Sequence, residues 1–257
     1  MGYVLILLIL FVVIYALGYL IYKSYFYCPP IEQKQLRNKC VIITGVSRGI
    51  GEELVYEYAR YNCRLILAAR SIDILKNQVA QKCLSLGATQ VECIQFNAST
   101  EQACIELIKK TIEYSSMATL PYLTQNGTYE QPSQIIAVSS LAGSYPLPQT
   151  TIYGTTKHAI QNFFLNLTRE LRISKPYQNR VTTSVAILGL IATEQALTAT
   201  DKSLHFLPAD VRKTAQAIIA AGIYGQTRLF YPYRFAVIPS LYYIFSPLFK
   251  FVTRLGD

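Results

Sequence analysis

Tyr153 and Lys157 stand four positions apart in YGTTK. On a helix that spacing puts both side chains on one face. A phenol titrates near 10 and alone is a poor proton donor or acceptor at neutral pH. A neighbouring ammonium favours the phenolate and lowers that value. The pair then suits delivery of a proton to a carbonyl oxygen, or its removal from an alcohol. Ser140, in VSSLAG, ends a strand-like run 13 positions before Tyr153, and its hydroxyl can hold the same oxygen. The chain has 20 tyrosines, so a Tyr/Lys pair at this spacing also arises by chance. The paired serines at the strand end ahead of it argue against chance.

A second group of residues suits a phosphate. TGVSRGIG, residues 44–51, joins a strand-like run to a helix-like one. Gly45, Gly49 and Gly51 allow a sharp turn and a close approach of pyrophosphate to the backbone. The helix that follows offers unpaired N–H groups and the positive end of its dipole. Arg70 and Ser71 end the next strand-like run, where an NAD site commonly has an acidic residue for the ribose 2′-hydroxyl. Arg48 lies inside the glycine loop. Either arginine alone could be a solvated surface charge. Two guanidiniums at these two places suit a 2′-phosphate, so the reading is NADP(H) rather than NAD(H).

These groups need elements to hold them. CVIIT (40–44), RLILAA (64–69), VECIQF (91–96), IIAV (135–138) and VTTSVAIL (181–188) read as strands. Residues 49–61, 72–87, 101–114 and 152–173 read as helices, the second ending at Gly87. Alternating strands and helices predict an α/β fold, a Rossmann-like doubly wound parallel sheet covered on both faces.

TGVSRGIG, VSSLAG and YGTTK together resemble the short-chain dehydrogenase/reductase family over roughly residues 38–250. ILGLIATE (187–194) and an apolar amino terminus make the chain most similar to the 11β-hydroxysteroid dehydrogenase type 1 branch. The resemblance implies that Ser140, Tyr153 and Lys157 are catalytic, with Tyr153 and Lys157 also at the cofactor and Lys157 on the nicotinamide ribose. It implies that Gly45, Ser47, Arg48, Gly49, Ile50, Gly51, Arg70 and Ser71 hold the adenosine and phosphates, and that Ile191 and Thr193 hold the carboxamide. His158 and His205 receive no role, and no metal-ligand spacing is present.

The chain departs from the family in one region. The resemblance calls for a fourth, central strand after the helix at 101–114, ending in an Asn-Asn-Ala-Gly-like turn, and then a long helix with a catalytic Asn. Only 43 positions separate Asn97 from Ser140, and they already hold one helix, a second helix tail and the loop QNGTYEQPS. A further strand with its helix needs most of a βαβ unit of about 30 residues. TIEYSSMATLPYL (111–123) therefore reads as a join between two helix ends, with the central strand absent. Asn126 lies in the wrong kind of segment to replace the Asn. Asn97 stands where the family has an acidic residue. The flanking strands must then pair directly or leave ladder groups unpaired. Two origins fit: a shortened splice form of an active enzyme, or a natural pseudoenzyme.

The length of 257 residues suits one domain. Hydrophobic residues make up 51%, charged residues 15%, and the mean hydropathy is +0.25. Residues 3–22 carry no charge and are long enough to cross a bilayer of about 30 Å. A cleaved signal peptide has a shorter apolar core and a basic start. The expectation is a membrane anchor at 1–24, a linker at 25–39, the NADP-binding domain at 40–228 and an apolar segment at 229–257. That last segment is broken by prolines and suits a bilayer interface or a substrate-pocket lid. Lys23, Lys34, Arg37 and Lys39 follow the span, which by the positive-inside rule puts the domain in the cytosol. The resemblance implies the lumen of the endoplasmic reticulum instead.

The net charge of +9 suits anionic lipid or a phosphorylated cofactor. No basic stripe interleaved with aromatics suggests nucleic acid. The six cysteines read as buried thiols. The sequence thus reads as a single-pass endoplasmic reticulum oxidoreductase interconverting a ketone and an alcohol on a lipophilic substrate. A steroid is favoured over a retinoid or long-chain lipid, and a homodimer is compatible with the resemblance. The alternative is a catalytically impaired NADP-binding or membrane scaffold protein.

Overall fold

The computed structural model describes residues 30–97, 132–147, 149–175, 177–199 and 208–233, with isolated positions outside those stretches. In chain order the elements are α1 (Gln33–Leu36), β1 (Cys40–Thr44), α2 (Gly49–Arg60), β2 (Arg64–Ala69), α3, β3 (Gln90–Gln95), β4 (Ser133–Ser140), α4 (Thr151–Ile173), β5 (Val181–Leu188), α5 (Glu194–Ala199), α6 (Val211–Ile223) and β6 (Arg228–Tyr231). Helix α3 runs from Ile72–Ile74 through a π-turn at Leu75–Val79 into Ala80–Leu86. It ends on Gly87, at φ +113°, where the N–H of Ala88 returns to the Cys83 carbonyl at 3.0 Å.

All strand pairs are parallel, but they form two sheets of three strands: β1-β2-β3 and β4-β5-β6. No described strand joins β1 to β4. Direct pairing of the two flanking strands, one of the outcomes expected for a missing central strand, does not occur: β1 and β4 belong to different sheets.

Side-chain alternation along the strands shows what this does to the core. Leu65 and Leu67 of β2, and Ala186 and Leu188 of β5, point to one face. There they share a single cluster with Val55 and Ala59 of α2 and Ile218 and Ile219 of α6. On the opposite face the core is split. Ile66, Ala68 and Ile94 pack with Leu107 in one cluster, and Val185 and Ile187 pack with Leu141 in another. Ile42 points toward the space between them and is 46% exposed in the middle of β1. Full burial of an isoleucine contributes about 1.5–3 kcal/mol, so this residue forfeits a large part of that.

Helices α2 and α6 tie the two sheets together. Glu57 of α2, 1% exposed, accepts from Arg60 Nε at 3.0 Å, from Arg212 Nε at 2.6 Å and from Gln216 Nε2 at 3.1 Å. Small residues let α6 approach closely: a Cβ at Gly222 would lie 2.5 Å from Ile136 Cδ1 of β4.

Two predicted boundaries need correction. The linker at 25–39 is domain structure from Pro30 onward. Leu36 is buried, Ile31 packs on the core, and the Tyr224 hydroxyl donates to the Pro30 carbonyl at 3.0 Å. The apolar segment starting at 229 opens inside β6, whose Leu229 is core. The helix at 101–114 is described only at Gln102, Glu106 and Leu107, all helical. The predicted join at 111–123 lies outside the described residues. So does most of the 3–22 span, where only Phe11, Val12, Tyr15 and Gly18 are described and are helical. No helix among the described residues is long and apolar enough to cross a membrane.

Candidate active site

At the carboxyl end of β1 the chain turns through Gly45 (φ +74°) and Gly49 (φ +68°), a left-handed backbone that side chains rarely adopt. The Gly45 N–H still bonds the Ala68 carbonyl at 2.9 Å, so the turn stays fixed to β2. Arg48 caps α2 in an extended conformation, which leaves the first N–H groups of the helix facing the loop. A Cβ at Gly51 would collide with the Gly45 carbonyl oxygen, so the helix seats on its own loop only as glycine. A glycine turn that leads unpaired helix N–H groups to one point is the cradle arrangement that a pyrophosphate needs.

The second wall of the cradle comes from the other sheet. Thr193 Cγ2 lies 3.6 Å from where a Gly49 Cβ would stand. Ile191 is buried and bridges to Ala209, and the Thr193 hydroxyl accepts from the Ala196 N–H at 3.2 Å. Ser47 and Ile50 are half-buried in the loop. Arg48, Arg70 and Ser71 are exposed at its rim, with the Arg70 carbonyl held by Gln95 Nε2 at 3.2 Å.

Tyr153 and Lys157 stand on α4 where it crosses the end of β4. Lys157 Nζ lies 5.7 Å from the centroid of the Tyr153 ring and donates to the Val138 carbonyl at 3.2 Å. Burial pushes the Lys157 ammonium below its ordinary value. Tyr153 is half exposed. Ser140 ends β4, and its Oγ accepts from the Ala142 N–H at 3.3 Å.

Three features fix this junction that the sequence reading passed over. Gln161, 8% exposed, donates to Ser139 Oγ at 3.1 Å and to the Ser140 carbonyl at 2.8 Å, and accepts from Ser144 Oγ at 3.0 Å. His158, given no role from sequence, has Nδ1 2.7 Å from the Gly143 carbonyl oxygen. Gly143 and Gly154 let strand end and helix touch: a Cβ on Gly143 would lie 2.7 Å from the His158 nitrogen, and one on Gly154 2.7 Å from the Ala142 carbonyl oxygen. Both signals were in the sequence. A glycine inside a helix costs about 1 kcal/mol against alanine, so Gly154 marks a close contact. Gln161 lies one turn beyond Lys157 on the same face.

Comparison with known proteins agrees with this geometry. The family model described as short chain dehydrogenase matches residues 39–133 and 116–204. The hydroxysteroid 11-beta-dehydrogenase 1-like protein of Gallus gallus is 29% identical over 247 aligned positions, covering 82% of this chain and 84% of that protein. Since 82% of 257 residues is about 211, some 36 of those positions have no counterpart here.

Two solved structures share the fold. The Pseudomonas aeruginosa RhlG/NADP complex has a TM-score of 0.65 at 18% identity and covers 76% of this chain and 94% of its own. A Burkholderia phymatum short chain dehydrogenase/reductase in complex with NAD has a TM-score of 0.69 at 15% identity, covering 83% and 96%. The glycine cradle, the Ser140–Tyr153–Lys157 group and a family match over more than half of its length identify the chain as a member of the short-chain dehydrogenase family of oxidoreductases.

Proposed function

We propose that this chain is a membrane-anchored NADP(H)-dependent oxidoreductase that interconverts a ketone and a secondary alcohol on a lipophilic, steroid-like substrate. The observation that carries the reading is the junction of β4 and α4. It brings Tyr153 and Lys157 to the strand end that bears Ser140, on the side of the sheet where the glycine cradle opens. The Tyr153 hydroxyl gives a proton to the substrate oxygen in reduction and takes it back in oxidation. The Ser140 hydroxyl donates a hydrogen bond to that oxygen and holds it. The Lys157 ammonium stabilises negative charge on the phenol oxygen as the proton leaves. A nicotinamide cofactor, held by the cradle with Ile191 and Thr193 at its second wall, supplies or accepts the hydride. Arg48 and Arg70 at the rim suit a 2′-phosphate. The hydroxysteroid name of the relatives supports the substrate class. The apolar, uncharged run at 3–22 supports a membrane anchor.

A second reading has its own observation. The split sheet and the absence of a candidate for the catalytic Asn suit a protein that binds nucleotide without turnover. One experiment separates the two: NADPH and NADH titration by nucleotide fluorescence, with carbonyl reduction measured on the parent chain and on Tyr153→Phe. The first reading expects tighter NADPH than NADH binding in both proteins, and turnover in the parent only, lowered at least a hundredfold in the variant. Intact NADPH binding with a parent as inactive as the variant would establish the second.

A further inference from the structure

The amino-terminal edge of the sheets carries a charge pattern that neither the cofactor site nor the catalytic group uses. Parallel strands start on one side, and the register sets Cys40 opposite Arg64 and Gln90 in the first sheet and Ser133 opposite Val181 in the second. At the first start, the Arg64 N–H bonds the Lys39 carbonyl at 2.9 Å, which brings Arg37, Lys39 and Arg64 together. At the second, the Ser133 N–H bonds the Arg180 carbonyl at 2.9 Å, and α4 ends beside it with Arg172 and Lys175. Five of these six cations are exposed, and Arg64 is half-buried. The Tyr224–Pro30 hydrogen bond and the packing of Gly222 against Gln134 set the two starts side by side. Glu32, near the first start, is paired with Lys34 at 2.7 Å.

We propose that this edge is a docking surface for the anionic headgroups of a phospholipid bilayer. Lipid is favoured over nucleic acid because the apolar segment 3–22 leads into this same edge, and because Pro30 and α1 are packed onto the domain there. The inference rests on the reading that 3–22 enters a membrane. A packed α1 fixes the domain against the bilayer edge-down, with β-strands pointing away and the cradle and Ser140 at the far end. Cations within about 8 Å of a charged surface interact with it before salt screens them.

The full chain is incorporated into phosphatidylcholine vesicles with and without phosphatidylserine, and acylation of Lys39 and Lys175 by an amine-reactive reagent is followed by peptide mass spectrometry. Both lysines react severalfold more slowly with the anionic vesicles, and the protection disappears at high salt. It also disappears in the variant Arg37→Glu, Arg172→Glu, Arg180→Glu, whose folding is checked by NADPH binding. Equal labelling on both vesicles overturns the proposal, and that result comes from the unmodified chain. Stronger protection by single-stranded RNA than by anionic vesicles also overturns it. Failure of the chain to float with neutral vesicles overturns the anchor reading alone, because protection on anionic vesicles is still measured.

Discussion

Lys157 meets two demands that pull in opposite directions. In the proposed mechanism its charge serves Tyr153, yet burial between α4 and β4 disfavours that charge and lowers its proton affinity. The sign of the consequence for stability follows from proton counts. In the unfolded chain the ammonium keeps its proton until near its ordinary 10.5, whereas the folded chain releases it earlier. Between those two values the unfolded state binds more protons, so this residue makes stability rise with pH. Replacing it with Met removes that contribution. In urea unfolding across the alkaline window below 10.5, the parent should gain stability relative to Lys157→Met as pH increases. A constant difference would mean that the ammonium is not desolvated. Ser140, Tyr153 and Lys157 were legible in the sequence because each belongs to a short motif with fixed spacing. Gln161 carried a weaker signal, its place one turn beyond Lys157 on the same face, and it was passed over because its partners are a strand end 21 and 22 positions away.

At the scale of the element, β1, β2 and β5 were read to the residue because parallel strands are continuous apolar runs bounded by polar or glycine turns, a pattern that β1 keeps although none of its residues is buried. The short α1 and β6 were not, because neither repeats a pattern long enough to show a period. Helix α6 was missed as well, although its alanines at 215, 217, 220 and 221 form a buried surface. Its contact with α2 centres on Glu57, and the energetics there are asymmetric. Arg60 and Arg212 reach solvent and can return to water, whereas the Glu57 carboxylate cannot. Arg60→Met with Arg212→Met should therefore cost about 3–5 kcal/mol, since it strands a buried charge. Glu57→Leu should cost clearly less, because it leaves only solvated cations. Denaturant midpoints of the two variants check the order, and the reverse order would show that Gln216 alone is enough to satisfy the carboxylate.

At the scale of the molecule, the α/β architecture followed from the alternation of strands and helices, while counting residues between Asn97 and Ser140 pointed to an absent central strand and left open whether its neighbours would pair directly or stay apart. What counting could not give is how the split is tolerated. The shared core and the α2–α6 contact span it on one face, while the other face stays divided around Ile42. Amide hydrogen exchange should reflect this. Strands β2 and β5, paired on both sides, should exchange slowest, with β1 and β4 faster despite their place in the middle of the family's sheet. Equal protection of β1 and β2 would mean that another chain segment pairs with the inner edge. The same division has a further consequence. Every described ladder closes within one half of the chain, either before Gln95 or after Ser133. The two halves are therefore matched by side chains, in the manner of two subunits that happen to be tethered. Produced as separate polypeptides, they should assemble, and their thermal midpoint should then climb with protein concentration more steeply than that of the intact chain, as mass action requires of a heterodimer.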